Sequence, residues 1–195
     1  WILATVLSCS SLVAAAATPA QLAAAEVERE LTTTYFHWFP EMATYYSVDP
    51  AVAGPGSTTR LSPRTQADEV AKRAAFRRVL SRFGEVDVTG LSQSDQVVHA
   101  ALEATLRGSL APAAVVEYGT VFSAWGMWFM PYAVSQIGGP QDLVTKLLDS
   151  QQPVRNAAEA EDYLSRLEAY ARTSDETIAK IERDRRLGVV PPGFI

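Results

Sequence analysis

The chain has 195 residues, of which 48% are hydrophobic, and it carries 17 Lys and Arg against 22 Asp and Glu, a net charge of −5. Its length favours one domain, and its apolar content excludes an intrinsically disordered segment. A single cysteine excludes an intramolecular disulfide and a cysteine-rich zinc site. The mildly acidic balance lacks the basic footprint of nucleic-acid binding, so we expect no nucleic-acid partner.

Residues 1–17 carry no charge and end in a run of alanines. The stretch is shorter than the about 20 apolar residues of a transmembrane helix, so we predict no stable membrane span. It is typical of a secretory signal peptide whose basic n-region is missing, with cleavage near Ala17. A lipid anchor at Cys9, in Val6-Leu7-Ser8-Cys9, is a weaker alternative, and a buried helix of a cytosolic protein is the third. We expect an exported protein, periplasmic or extracellular.

Both ends of the sequence are predicted to be cut points. The chain begins at Trp1 and ends in Phe194-Ile195, a pair that suits the start of a buried segment better than a polar, frayed terminus. The alternative is a complete small domain onto which the last apolar pair docks. We therefore predict that residues 18–195 form the helical N-terminal segment of a larger domain, truncated at its C-terminus.

The apolar residues after Thr18 recur with helical spacing. Prolines, glycines and capping residues divide this region into helices, with a surface loop over 49–62 and irregular, largely buried chain over 113–140. The predicted helices cover residues 19–39, 41–46, 63–83, 93–111, 141–148 and 157–187. Since no run of alternating residues demands a strand, the sequence predicts an all-α, multi-helix array.

Four of these helices have a predicted core-facing stripe, which in the first helix consists of Leu22, Val27, Leu31, Tyr35 and Phe39. Ser62 is expected to cap the third helix, with Pro63 in its first turn. Ser92 and Asn156 are expected to cap the fourth and the sixth. In the other three helices the predicted core-facing residues are Phe76, Val79, Leu80 and Phe83; Val98, Ala101, Leu102 and Leu106; and Ala160, Tyr163, Leu164, Leu167 and Ala171, followed after a break near 173–174 by Ile178 and Ile181.

The sequence lacks the motifs of hydrolytic and phosphate chemistry. The H-E-x-x-H zinc motif cannot occur, because the only histidines are His37 and His99 and neither is followed by Glu. His99 and Glu103 have the i, i+4 spacing of two metal ligands, but the equal spacing from Glu103 to Arg107 and the lack of a third ligand favour a surface ion pair. Neither G-x-S-x-G nor a phosphate loop occurs. We predict no catalytic residue, no metal ligand and no cofactor in this chain.

Six aromatic residues crowd the irregular stretch between Tyr118 and Tyr132. Tyr and Trp offer flat apolar surface with a polar tip, which suits the wall of an extended substrate cleft. Core packing is the commoner role of such residues, and the sequence leaves both readings open. The candidate cleft wall consists of Tyr118, Trp125, Trp128 and Tyr132.

Several segments, taken in order, resemble those of a known family. They are Pro40-Glu41-Met42-Ala43-Thr44, Arg60-Leu61-Ser62-Pro63, Gln136-Ile137-Gly138-Gly139-Pro140, the run from Ala160 to Leu167, and Gly188-Val189-Val190-Pro191-Pro192. Over residues 20–195 the chain resembles the N-terminal third of the bacterial "domain of unknown function 885" family.

The resemblance implies a longer, exported and mainly helical protein, grouped with zincin-type metallopeptidases, of whose fold this chain is the N-terminal portion. In that family a later H-E-x-x-H-like helix holds the zinc ion, and this chain has none of those residues. The resemblance thus implies that zinc is a cofactor only of the full-length parent. It also implies that the missing C-terminal part of the same polypeptide is the partner of this chain, and that the substrate is a peptide.

Three hypotheses follow. The first is a scaffold fragment of an exported zinc-dependent hydrolase acting on peptides, which is inactive on its own. The second is a stand-alone helical binding module of the periplasm whose contact surface is the 118–132 region. The third is a lipid-anchored periplasmic protein with no enzymatic segment.

Overall fold

The computed structural model describes residues 16–122, 128–136 and 138–193. Two isolated antiparallel bridges, between Thr120 and Met130 and between Ser135 and Gly138, are the only β-type pairings in these ranges. The all-α prediction is confirmed, whereas most of the predicted signal peptide lies outside the described residues. The described α-helices are α1 (Pro19–Trp38), α2 (Pro40–Tyr45), α3 (Pro50–Ala53), α4 (Gln66–Phe83), α5 (Gln93–Leu110), α6 (Pro140–Lys146) and α7 (Ala157–Arg186).

Helix α4 lies between α1 and α5 and forms the centre of the core. Its residues Phe76, Val79 and Phe83 are buried, as predicted, because the steps of three and four place them on one helix face. The Phe76 ring packs 4.0 Å, centroid to centroid, from that of Phe122. Other helices and the segment before residue 123 complete this core with Val27, Leu31, Phe39, Met42, Leu106, Leu110, Val121 and Phe122.

Local capping signals place most helix starts correctly. The side chain of Ser92 accepts a hydrogen bond from the Asp95 N–H (3.2 Å) at the start of α5. That of Asn156 accepts from the Glu159 N–H (3.0 Å) at the start of α7. Both caps are as predicted, since each side-chain oxygen satisfies an N–H that has no partner within the helix. The loop expected over 49–62 differs only in containing the four-residue helix α3.

The predicted start of α4 at Ser62 and Pro63 is wrong, because the helix begins at Gln66 with Thr65 as its N-cap. Ser62 instead donates two hydrogen bonds to the Glu41 carboxylate, from its backbone N–H (2.8 Å) and from its hydroxyl (2.5 Å). A serine engaged in this buried contact between segments is not available to cap a helix.

The predicted core face of α5 is partly wrong. Val98 and Ala101 are exposed, and the neighbouring position His99 is buried with Leu106 and Leu110. The His99 Nε2 lies 3.1 Å from the backbone oxygen of Phe83, a partner that makes a buried imidazole acceptable. Helix α5 is therefore turned by about one residue relative to the stripe that hydropathy predicts.

Helix α7 runs unbroken through 173–174, and its orientation is the reverse of the prediction. Five predicted core residues are exposed, namely Leu164 (51%), Leu167 (45%), Ala171, Ile178 (55%) and Ile181 (39%). The buried face instead carries Arg166, Ala169, Thr173, Thr177, Lys180 and Asp184. Hydropathy fails here because the buried polar groups have hydrogen-bond and charge partners, which compensate for the loss of water.

Arg166 connects α7 by hydrogen bonds to the chain around α2 and α3. Its guanidinium is fully buried and donates hydrogen bonds to four acceptors. These are the backbone oxygens of Arg60 and Ser57 and the side-chain oxygens of Thr44 and Gln152. These contacts hold the first half of α7 in place together with the apolar packing of Ala169 and Tyr170 against Leu61, Val144 and Leu147.

Candidate functional site

A small cavity lies between α2, α4 and the irregular chain before α6. Its volume is about 40 Å³, enough for a small polar group or a few water molecules. One side is charged and is lined by Arg64, Glu69 and Lys72. The other side is largely apolar and is lined by Phe39, Phe122, Met130, Tyr132 and Leu143.

Helix α4 supplies Glu69 and Lys72, which continue its core stripe toward the N-terminus. Both are only 3% exposed, and the Lys72 Nζ lies 3.0 Å from the Glu69 Oε1. The same ammonium lies 5.3 Å from the centroid of the Phe39 ring, within cation–π range. Burial lowers the pKa of Lys72 below its usual value, and the Glu69 carboxylate partly offsets this effect. The Oε2 of Glu69 has no hydrogen-bond partner among the described residues.

Arg64 lies just before α4 and is the second cation of the cavity. Its backbone N–H donates to the Glu176 Oε2 (2.9 Å), which ties this segment to α7. Burial lowers the pKa of the Arg64 guanidinium, against the opposing charges of Glu41, Glu69 and Glu176. Its Nε is buried and unpaired within the described part of the chain.

Two further contacts hold the walls of the cavity. The Lys180 Nζ of α7 donates to the backbone oxygen of Gly119 (2.9 Å) and lies 3.4 Å from the Asp184 Oδ2. Gly119 has a positive φ of 71°, and a Cβ there would lie 2.6 Å from the backbone oxygen of Met130. Only glycine allows the two chain segments to approach this closely, and the Thr120–Met130 bridge follows directly from it.

The three described aromatic residues of the predicted cleft wall do not share one surface. Tyr132 lines the charged cavity, and it also shares a shallow groove with Tyr118 and the chain after α7. Trp128 is half exposed, and its Nε1–H points to the Met130 sulfur (3.0 Å). Trp125 lies outside the described residues. The prediction of a largely buried stretch is therefore wrong for Trp128, and the substrate-wall role remains a prediction.

Within the described ranges no three His, Cys, Asp or Glu side chains are grouped to hold a metal ion. Glu103 forms the expected ion pair with Arg107, whose side chain donates two hydrogen bonds to the Glu103 Oε1. The chemistry that the cavity can offer is instead recognition of charge by Arg64 and Lys72.

Sequence reasoning did not identify Arg64, Glu69 or Lys72. A signal for two of them exists, because residues 69, 72, 76, 79 and 83 follow one another at steps of three and four. Charged residues that continue an apolar stripe predict buried charge. Arg64 precedes the helix, and no periodicity marks it.

The fold is similar to that of a solved protein described as "the putative lipoprotein from Colwellia psychrerythraea". The TM-score is 0.79 at 18% sequence identity, and the match covers 89% of this chain and 29% of that protein. The chain thus spans less than a third of the length of that relative, and at this identity the likeness shows the fold alone. None of the described helices has the length and apolar composition needed to cross a membrane.

No curated protein matches the chain significantly. The family model of "bacterial protein of unknown function (DUF885)" matches residues 40–195, which is most of the chain. The match includes α2 to α7 and every charged residue that lines the cavity. The chain therefore belongs to the bacterial DUF885 family of proteins of unknown function.

Proposed function

We propose that this chain is the N-terminal scaffold of an exported, zinc-dependent hydrolase that acts on peptides. The metal site and the catalytic residues would come from a part of the polypeptide outside this sequence. Zinc and peptide hydrolysis are inferred from the resemblance to zincin-type peptidases described above. The similar solved protein is described as a lipoprotein, which favours export of this chain as well.

The observation that carries the scaffold role is the exposed apolar stripe of α7. Positions 164, 167, 171, 174, 178 and 181 follow one another in steps of three and four, the spacing of a seam along which helices pack, and all of them except Ser174 are exposed apolar residues. The 30 residues of α7 give a helix about 45 Å long. An exposed apolar stripe of this kind marks a surface that another protein segment covers.

We assign that covering segment to the remaining part of a longer polypeptide. The match with the similar solved protein covers only 29% of that protein, which therefore has a large additional part. The buried face of α7 is already occupied by the loops that bind Arg166 and by Gly119. The apolar stripe therefore remains available for helices of that additional part.

The test compares the protein expressed from the complete gene with the chain of residues 18–195. We expect about one zinc per molecule by elemental analysis, and chelator-sensitive peptide hydrolysis, for the first and neither for the second. Absence of both zinc and hydrolysis from the complete protein would refute the hydrolase.

The scaffold role has its own test in the complete protein. Leu167→Glu and Ile178→Glu place a charge in the stripe and are expected to lower the unfolding free energy by about 2 kcal/mol or more if the stripe is covered. Arg172→Glu changes an exposed residue of the same helix and is the matched control. If all three variants are equally stable, the stripe is free, and the alternative of a stand-alone binding module is favoured.

A further inference from the structure

The charged cavity contains more hydrogen-bond donors than acceptors. A guanidinium has five N–H donors, and that of Arg64 donates to no other described residue. The Lys72 ammonium uses one of its three donors on Glu69. On the acceptor side the Glu69 Oε2 is free, whereas the Ser62 hydroxyl is engaged with Glu41. A buried donor without a partner, as the Arg64 Nε is, is unfavourable, so the cavity is suited to a ligand that offers acceptors to Arg64 and Lys72.

The charges around the cavity favour a singly charged anion over a dianion. Arg64 and Lys72 contribute two positive charges to the wall and Glu69 one negative charge, and the carboxylates of Glu41 and Glu176 also act on Arg64. These carboxylates would repel a phosphate dianion more strongly than a monoanion. A carboxylate carries the required single charge, and its two oxygens can accept parallel hydrogen bonds from a guanidinium.

The remaining wall indicates what is attached to the charged group. Phe39, Phe122, Met130 and Tyr132 form an apolar and aromatic surface next to the two cations. The volume of about 40 Å³ accommodates the carboxylate itself, so an apolar side chain or short hydrocarbon body attached to it would lie at the opening of the cavity, against this surface. The lowered pKa values of Arg64 and Lys72 agree with this arrangement, because a bound anion would offset the desolvation that lowers them.

We propose that this cavity binds the carboxylate of an apolar organic acid or of a peptide C-terminus, with Arg64 and Lys72 as the recognising cations. The proposal does not rest on the hydrolase proposed above, since binding requires neither zinc nor turnover. It gives Tyr132, one of the four predicted cleft-wall residues, a specific place beside the ligand.

The test is isothermal titration calorimetry of the purified protein with N-acetylphenylalanine and with its uncharged amide. We expect the acid to bind about tenfold or more tightly than the amide, because only the acid supplies the anion. Acetate and a peptide ending in phenylalanine distinguish the two sources of the carboxylate. Equal affinity for acid and amide, tighter binding of inorganic phosphate, or no binding of any probe would overturn the proposal.

Variants assign the binding to this cavity. Arg64→Gln and Lys72→Met are each expected to weaken binding of the acid by about tenfold or more. Arg64→Lys keeps the charge but not the paired geometry and should have an intermediate effect. Arg172→Gln, on the exposed side of α7, is the control, and circular dichroism checks that each variant is folded. Unchanged affinity in folded Arg64→Gln and Arg64→Lys proteins would place the binding elsewhere and refute the assignment.

Discussion

Replacing Arg166 with methionine tests whether buried hydrogen bonds hold α7 in place. Methionine keeps an unbranched side chain of similar length but removes the charge and every donor. Four acceptors then lose the hydrogen bond from Arg166, among them the backbone oxygen of Arg60 and that of Ser57, which keeps a bond from the Thr44 hydroxyl. The other two are the Thr44 hydroxyl and the Gln152 amide oxygen.

The expected change in unfolding free energy for Arg166→Met is the difference between two opposing effects. Each lost hydrogen bond to a charged group is worth about 1.5–2 kcal/mol, so the four together contribute about 6–8 kcal/mol. Against this, burial lowers the pKa of Arg166 from 12.5 to about 10. That shift is the balance of desolvation against the charges of Glu41 and Asp162, and it corresponds to about 3 kcal/mol of destabilisation, which Arg166→Met removes. The net loss of unfolding free energy is expected to be about 3–5 kcal/mol, as for other broken buried charge contacts.

The assay is urea denaturation followed by circular dichroism, with the free energy extrapolated to water. Arg166→Lys keeps the charge but has fewer donors and no planar geometry, so its expected loss is about half as large. Arg172→Met, at an exposed position of the same helix, should change stability by no more than about 0.5 kcal/mol. If Arg166→Met is no more destabilising than Arg172→Met, the proposed role of these hydrogen bonds is refuted.

Two further predictions concern pH and the core. Partial burial, together with the charge of Arg60, lowers the pKa of His37 below 6.5 in the folded state. The unfolded chain therefore binds more protons just below that pH, and the unfolding free energy falls on acidification. Denaturant titrations at about pH 7 and about pH 5 should show that the unfolding free energy falls less in His37→Gln than in the unchanged protein. Equal decreases in the two proteins would contradict this. Phe76→Ala removes the ring that packs on Phe122 and should cost about 3–5 kcal/mol in the same assay. The exposed Val97→Ala control should stay within about 0.5 kcal/mol, and a similarly small effect at Phe76 would contradict the core assignment.

Helix positions could be predicted from the sequence because their signals are local. Pro19 and Pro40 open α1 and α2, and the Asn156 cap opens α7, each within a few residues of the helix that it starts. The start of α4 was misplaced for the opposite reason. The partner of Ser62 is Glu41, 21 residues away, and no local rule contains that contact.

The face that a helix buries depends on what lies opposite, which hydropathy does not describe. Leu164 and Ile178 have the composition of core residues, whereas the structure buries Arg166 and Lys180. Acceptors for Arg166 come from positions over 100 residues earlier in the chain. The cavity could not be predicted for the same reason. Its walls come from segments that are distant in the sequence and meet only in the folded chain.

The contacts of Arg166 also affect the order in which parts of the newly synthesised chain can fold. During synthesis α1, α4 and α5 leave the ribosome first, and their mutual packing does not need α7. The hydrogen bonds from Arg166 to the carbonyl groups of residues 57 and 60 cannot form until residue 166 has emerged. The chain around these two residues therefore stays accessible to proteases and chaperones until α7 has been made.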